Sequence, residues 1–243
     1  MKRSKRILIS ILLILLVAVA AFFLSQYKSS VPRSISISGQ DKVSVKDGFS
    51  LKGLYTDSLG NEYNYSFSLP EVKGETDYIR EVRRDIDSVY EKYLSPTLDT
   101  MDKGYSLSTI RCVWESAEYD GITSVLIRLD SDWGESDFHI YNFDMSGNKV
   151  ENVEILKTVG LDEDVFVKTV KRVLSEYMDS SVVLDGRSQE MKDFFAKQRE
   201  RTLSGDNCTS SLPLYLNAEG NISFVTKVYS VAGADYYYRI FKI

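Results

Sequence analysis

The stretch that decides the fold is YSLSTIRCVWESAEYDGITSVLIRLDSDWGESDFHIYNFDM, residues 105–145. Three parts of it, residues 105–119, 123–129 and 138–145, are rich in β-branched and aromatic residues and alternate apolar with polar positions. Turn-forming residues follow the first and the last of these parts, at Asp120-Gly121 and at Ser146-Gly147-Asn148. The pattern predicts a meander of β-strands.

Further strands are predicted on both sides of the meander. Two precede it, at residues 50–55 and 62–68, with Asn61 at the turn between them. After the meander we expect a hairpin and one last strand, at residues 213–216, 222–230 and 235–243.

Helices are predicted between these groups of strands. Apolar residues recur at helical spacing within residues 76–94, and Pro96 is expected to end that helix. A second helix opens near Asp162, which can act as its N-cap, and a shorter one spans residues 189–199. The core face of the second helix is predicted to be Phe166, Val170, Val173, Leu174 and Tyr177. The fold class is therefore α+β, with antiparallel sheets and two main helices.

A single transmembrane helix is predicted ahead of this domain. Residues 7–24 form an uncharged apolar run that would rise roughly 27 Å at about 1.5 Å per residue, close to the thickness of a bilayer core. The basic segment at residues 1–6 keeps the N-terminus cytoplasmic and places the C-terminal domain outside the cell. The length of the run favours an uncleaved signal-anchor in the plasma membrane, while Ala18-Val19-Ala20 leaves cleavage after Ala20 open.

The remainder divides into a tether and two lobes. Residues 25–44 are rich in serine and are expected to form the tether. An N-terminal α+β lobe at residues 45–180 and a C-terminal α+β lobe at residues 181–243 are expected to form one compact unit.

The exported part of the chain is strongly acidic. Residues 29–243 hold all 35 acidic residues but only 25 of the 30 basic ones, which gives a net charge of −10. Such a domain is repelled by nucleic acid and attracts a basic protein partner. The alternative is that the charge only keeps the domain soluble.

Residues that carry chemistry are few. The single histidine, His139, excludes sites that need two, and no motif for nucleophilic catalysis or phosphate binding occurs. Four acidic residues flank Trp133-Gly134, but they lack the spacing of a calcium loop, so a soluble turn is the preferred interpretation. We expect no enzyme activity, no metal and no cofactor. Cys112 and Cys208 are expected to be buried free thiols, with a disulfide as the alternative.

The abundance of aromatic residues, with 16 Tyr, 11 Phe and 2 Trp, suggests a binding function. Tyr236, Tyr237 and Tyr238 are consecutive in a predicted strand, so their rings cannot all point to one face. Exposed Tyr and Trp side chains are frequent anchors of protein interfaces. The candidate ligand-binding residues are Trp133, His139, Tyr236 and Tyr238, although for His139 a half-exposed position on a strand is the preferred interpretation.

Short motifs in both lobes resemble a known bacterial ectodomain. They are Leu69-Pro70-Glu71-Val72-Lys73-Gly74, Ser124-Val125, Ile140-Tyr141-Asn142-Phe143-Asp144 with Ser146-Gly147-Asn148, Pro213-Leu214-Tyr215-Leu216 with Glu219-Gly220, and Ala232-Gly233-Ala234. Together they resemble the ectodomain of the RsiV-type anti-sigma factor family, which recognises lysozyme and also precedes some peptidoglycan deacetylase domains. The family often carries Gly-Gly-x-His before the N-F-D strand, and Trp133-Gly134 with His139 matches this only in part.

The resemblance implies a membrane-anchored extracytoplasmic binding module of a Gram-positive bacterium, whose partner is a basic, lysozyme-like wall hydrolase. Two alternatives remain open at this point. One is a structural component of an envelope complex. The other is an enzyme that acts on wall glycans through paired carboxylates, such as Asp130 and Asp144.

Overall fold

The computed structural model describes residues 43–132, 134, 136–230 and 235–243. The predicted anchor at residues 7–24 and nearly all of the predicted tether lie outside these residues. Within the described part, no helix combines the length and the apolar character that a membrane span requires. The described domain is α+β, as the sequence predicts.

Five strands form a mixed sheet, called sheet A. In spatial order they are β1 (Ser44–Thr56), β2 (Glu62–Lys73), β3 (Thr109–Tyr119), β4 (Ile122–Ser131) and β5 (Ser136–Asp144). Neighbouring strands are antiparallel except β2 and β3, which pair in parallel where Ser66 meets Arg111 and Phe67 meets Cys112. The expectation of purely antiparallel sheets is therefore wrong for sheet A. The connection between β2 and β3 carries the chain back to the end of the sheet at which β2 begins. Strand β3 therefore runs in the same direction as β2.

Most of that connection is helical. Its helical part consists of α1 (Asp77–Val89), a π-helical segment (Tyr90–Leu94) and α2 (Ser95–Asp102). The prediction that Pro96 ends the first helix is wrong, because helical structure continues from α1 through the π-helical segment into α2, and Pro96 lies in the first turn of α2. Thr76 caps α1 by accepting a hydrogen bond from the N–H of Ile79 at 3.2 Å.

Three antiparallel strands form sheet B, in the order β6 (Leu214–Leu216), β7 (Ile222–Tyr229) and β8 (Tyr236–Lys242). The helices before it are α3 (Asn152–Thr158), α4 (Glu163–Ser181) and α5 (Gln189–Thr202), followed by a 3-10 turn (Gly205–Cys208). The two predicted main helices correspond to α1 and α4. Asp162 is the N-cap residue of α4, although its side chain makes no capping hydrogen bond.

Two apolar cores hold these layers together. Core A lies between sheet A and α1 and includes Phe67, Ile79, Val125, Ile127 and Phe143. Core B lies between sheet B and the later helices and includes Phe166, Val170, Leu174, Phe224 and Phe241. Of the predicted core face of α4, Val173 and Tyr177 are only partly buried against core B.

The faces of the two sheets that are turned away from these cores meet each other. An inter-sheet groove of about 390 Å³ runs between them, with Glu115 and Leu126 on sheet A and Tyr215 and Ile240 on sheet B. Sheet A thus covers part of one face of sheet B.

One turn sequence occurs three times, as [Asp/Asn]-x-x-Gly-Asn at residues 57–61, 144–148 and 217–221. In each copy the first side chain accepts hydrogen bonds from the N–H groups two and four residues later, at 2.8 to 3.0 Å. The glycine of each copy has a positive φ, between 81° and 86°, which residues with a side chain rarely adopt. The motif makes three tight turns with one local geometry.

Both cysteines are buried free thiols, as the sequence predicts. Cys112 belongs to core A and Cys208 to core B. The pKa of Cys112 is raised to about 12 because burial disfavours the thiolate.

Candidate functional site

An aromatic surface at one end of sheet B is the most distinctive exposed feature among the described residues. Tyr229 lies opposite Tyr236, and Lys227 lies opposite Tyr238, on neighbouring antiparallel strands. Because side chains alternate along a strand, all four lie on the same face of the sheet. We call these four residues the tyrosine face. Tyr236 and Tyr238 are each 37% exposed.

The tyrosine face is exposed because sheet A covers only the other end of this surface. Further along the same face, Ser223, Ile240 and Lys242 line the inter-sheet groove. The tyrosine face continues that surface beyond the covered part. Packing of the two sheets therefore leaves an aromatic surface uncovered.

Cationic groups lie against these rings. Lys227 Nζ is 4.7 Å from the ring centroid of Tyr236 and 5.9 Å from that of Tyr238. The guanidinium carbon of Arg201, on α5, is 3.9 Å from the centroid of Tyr229, and Arg201 also pairs with Asp235 at 3.0 Å. These distances lie within the roughly 6 Å range of cation–π attraction, which favours the observed ring positions.

The exposed rings are steeply inclined to one another. Tyr229 and Tyr236 have centroids 6.0 Å apart at 63°, and Tyr236 and Tyr238 have centroids 5.7 Å apart at 84°. The surface is therefore ridged, and a flat sugar ring would stack on only one of its side chains at a time. Tyrosine rings inclined to one another in this way suit the irregular surface of a protein.

Tyr237 points to the opposite side of β8. Its hydroxyl lies 2.8 Å from the hydroxyl of Tyr177 on α4, and burial raises its pKa. Tyr237 therefore anchors β8 to core B, and this contact supports the strand that carries Tyr236 and Tyr238.

A second feature adjoins the tyrosine face at the turn between β4 and β5. This turn groove, of about 360 Å³, is lined by Tyr93, Leu129, Asp130, Ser136, Asp137 and residues 236–238. The Tyr93 hydroxyl, from the π-helical segment, donates to Asp137 at 2.7 Å. Asp130 accepts hydrogen bonds from Arg128 and Ser136, both at 2.7 Å. The groove thus brings fixed carboxylates to the border of the aromatic surface.

The structure brings two of the four candidate residues together, Tyr236 and Tyr238. Trp133 lies outside the described residues, but the turn that carries it borders the tyrosine face through Asp130 and Ser136. His139 is elsewhere, because alternation along β5 turns it toward α1 and core A.

His139 takes part in a helix–strand contact. Its Nδ1 is 3.0 Å from a carboxylate oxygen of Asp85 on α1, and the Tyr141 hydroxyl donates to the same oxygen. Its Nε2 is buried and has no hydrogen-bond partner among the described residues. His139 therefore fastens β5 to α1, and its side chain is 22% exposed, less than the half-exposed position expected.

Four of the motif residues that carry the resemblance, Ser124, Asn142, Leu214 and Leu216, meet in a buried polar junction between the sheets. The Ser124 hydroxyl donates to the Asn142 side-chain oxygen and accepts from the N–H of Leu216 at 3.2 Å. The Asn142 amide donates to the carbonyl oxygen of Leu214 at 2.8 Å. These hydrogen bonds hold β6 against β4 and β5, so this part of the motif contributes to the docking of the two sheets.

The carboxylate pair considered for glycan hydrolysis is too far apart to act together. Asp144 pairs with Ile122 and Ser136 pairs with Asp130, so the two aspartates lie at opposite ends of β4, roughly 26 Å apart at about 3.3 Å per residue. Glycosidases need carboxyl groups about 5–9.5 Å apart. Within the described ranges, no three His, Cys, Asp or Glu side chains converge on a possible metal position.

No protein-family model matches the chain, and no curated protein matches it either.

Sequence reasoning missed three members of the site. Lys227 and Tyr229 alternate along β7 in the same way as Tyr236 and Tyr238 along β8, and this signal was present in the sequence. Arg201 was not detectable, because only the packing of α5 on sheet B brings it to Tyr229.

Proposed function

We propose that this chain is a membrane-anchored, non-catalytic binding module that displays its α+β domain outside the cell and recognises a protein. The tyrosine face is the observation that carries the proposal. It presents two exposed tyrosines, Tyr236 and Tyr238, beside Lys227, and Arg201 lies against its remaining tyrosine; tyrosine and arginine are both enriched in interface hot spots.

The proposed partner is a basic, lysozyme-like wall hydrolase. Two features support this choice. The exported part of the chain carries a net charge of −10, and the turn groove places Asp130 and Asp137 beside the tyrosine face. Complementary charge would speed the encounter, while the tyrosines would supply most of the affinity. The motif resemblance to RsiV-type ectodomains points to the same partner class.

A binding experiment with the full chain in detergent tests the proposal. Lysozyme is titrated at low and at raised salt, and we expect weaker binding at raised salt because the encounter is electrostatic. Loss of both exposed rings in the double variant Tyr236→Ala/Tyr238→Ala should weaken binding by about thirtyfold. Trp133→Ala tests the remaining aromatic candidate from the sequence, and it should also weaken binding.

Tyr105→Ala is the matched control, because Tyr105 is 62% exposed but lies outside the tyrosine face. It should bind like the unaltered chain. The absence of lysozyme binding at either salt concentration would reject this partner, and equal losses in the control and the double variant would reject this surface.

A further inference from the structure

The inter-sheet groove brings side chains of both sheets to one space. On sheet A, Glu115 lies opposite Leu126 on the neighbouring strand, so both side chains point to the same face. On sheet B, Tyr215, Ser223 and Lys242 lie side by side across β6, β7 and β8. All five residues line the groove. A row of side chains from each sheet therefore borders the same opening.

Two opposite charges in this groove are not used by the fold. Among the described residues, neither Glu115 nor Lys242 has an ion-pair or hydrogen-bond partner for its side chain. The third charged residue of the groove, Arg128, already pairs with Asp130 at 2.7 Å. The charges left for a ligand are therefore one carboxylate and one ammonium group.

These two charges lie on different sides of the groove. The carboxylate of Glu115 is close enough to Tyr215 on β6 to affect its ionisation. Lys242 is on β8, and β7 lies between the two strands, so the backbones of β6 and β8 are about 10 Å apart. The groove is therefore negative on the β6 side and positive on the β8 side.

The floor between the two charges is apolar and carries one hydroxyl group. Leu126 and Tyr215 are each only 6% exposed, and Val113 and Ile240 line the groove beside them. Burial, with a smaller contribution from Glu115, raises the pKa of Tyr215 to about 12, so its hydroxyl stays protonated. No residue in the described ranges accepts a hydrogen bond from it. The hydroxyl is thus a free donor on an apolar floor.

Size and charge together indicate the class of ligand. The groove, of about 390 Å³, is at the small end of the roughly 300–1,000 Å³ found for ligand pockets. An extended dipeptide places its amino and carboxylate ends roughly 7 Å apart, at about 3.6 Å per residue. Such a molecule can meet both charges at once, whereas a neutral sugar would leave both unused.

We propose that the inter-sheet groove is a binding site for a short zwitterionic peptide with apolar side chains. Glu115 binds the ammonium group and Lys242 binds the carboxylate. The Tyr215 hydroxyl donates to the peptide carbonyl, while Leu126 and Ile240 contact the side chains of the ligand. The site is separate from the tyrosine face and does not depend on the protein partner proposed for that surface.

The test titrates the dipeptide Ala-Leu into the full chain in detergent, by calorimetry. Acetylation of its amino group, or conversion of its carboxylate to an amide, should each weaken binding about tenfold, because each change removes a charge-assisted hydrogen bond. No binding of Ala-Leu, or equal affinity for the free and the blocked dipeptides, would overturn the proposal. Binding of N-acetylglucosamine as tight as that of Ala-Leu would also overturn it.

Protein variants locate the site. Glu115→Gln should weaken binding of Ala-Leu about tenfold but leave binding of the acetylated dipeptide unchanged, and Lys242→Gln should act in the same way toward the amide. Glu118→Gln, at an exposed position on the opposite face of β3, should have no effect. The double variant Tyr236→Ala/Tyr238→Ala should bind Ala-Leu normally. Equal effects of the two glutamate variants, or loss of Ala-Leu binding in the tyrosine variant, would overturn the assignment to this groove.

Discussion

The side-chain amide of Asn142 bridges the two sheets by donating to the carbonyl oxygen of Leu214 at 2.8 Å. Asn142 and Ser124 are both buried, so this junction is shielded from water. Within the described chain, these hydrogen bonds join strands that are 72 residues apart in sequence.

Removing the bridge should destabilise the domain. Asn142→Ala leaves the Leu214 carbonyl and the Ser124 hydroxyl short of a partner, and we expect a loss of about 1–3 kcal/mol in the free energy of unfolding. Urea denaturation measures it. Asn64→Ala, at an exposed position of β2, should change stability by less than about 0.5 kcal/mol, and an equally large loss there would contradict the role given to Asn142.

Two glycines in equivalent turns should respond differently to alanine. Gly60 and Gly220 have φ values of 86° and 81°, so both substitutions strain the backbone by roughly 1–2 kcal/mol. A Cβ at Gly60 meets nothing within 4 Å, whereas one at Gly220 would lie 2.6 Å from the Tyr119 ring. Gly220→Ala should therefore be less stable than Gly60→Ala by about a further 1–3 kcal/mol, measured by thermal unfolding. Equal losses would show that Tyr119 moves aside freely.

Asp57 should make the fold sensitive to acid. Its pKa is lowered to about 2, chiefly by the hydrogen bond from the Asn61 side chain, with further hydrogen bonds from the Asn61 backbone and Ser106. A carboxyl group whose pKa is lower in the folded state stabilises the fold above its unfolded pKa of about 3.9, and this contribution is lost as the pH falls toward 2.

The variant Asp57→Asn should therefore show a shallower decline of stability between about pH 4 and pH 2 than the unaltered chain. Denaturation series across this range provide the measurement. Asp99→Asn, at an exposed position without these partners, should keep the original slope, and an unchanged slope in Asp57→Asn would count against the assignment.

The thiols should be unreactive in the folded protein. With a pKa of about 12, Cys112 has almost no thiolate at pH 8, and burial also raises the pKa of Cys208. A disulfide reagent such as DTNB should label both cysteines only after denaturation. Fast labelling of one thiol under native conditions would reveal local opening of its core.

Local sequence patterns predicted the elements but not all of their partners. The meander and the final hairpin follow from alternation and turn residues, which are local properties. The parallel pairing of Ser66 with Arg111 depends on where a long helical connection returns, and no residue nearby in sequence signals it. The helix end predicted at Pro96 was wrong, because proline is also common in the first turn of a helix, and Pro96 occupies that position in α2.

The candidate site shows the same division. Consecutive tyrosines pointed to Tyr236 and Tyr238, since alternation along β8 requires one side of the strand to differ from the other. The contact between His139 and Asp85 joins positions 54 residues apart and depends on how α1 packs on β5. Pattern alone located Tyr236 and Tyr238, whereas tertiary packing decided which side chains became accessible and which further residues joined them.

The separation of the two cores has a consequence for how a growing chain acquires its structure. Every buried member of core A lies between Phe67 and Phe143, but core B is closed by Phe241. As the polypeptide is synthesised, the first half can bury its apolar residues while the second is still emerging. The apolar side chains of α4, such as Phe166 and Leu174, are not fully covered until β8 has been synthesised and Phe241 has joined core B. During this interval the chain is most exposed to aggregation and proteolysis.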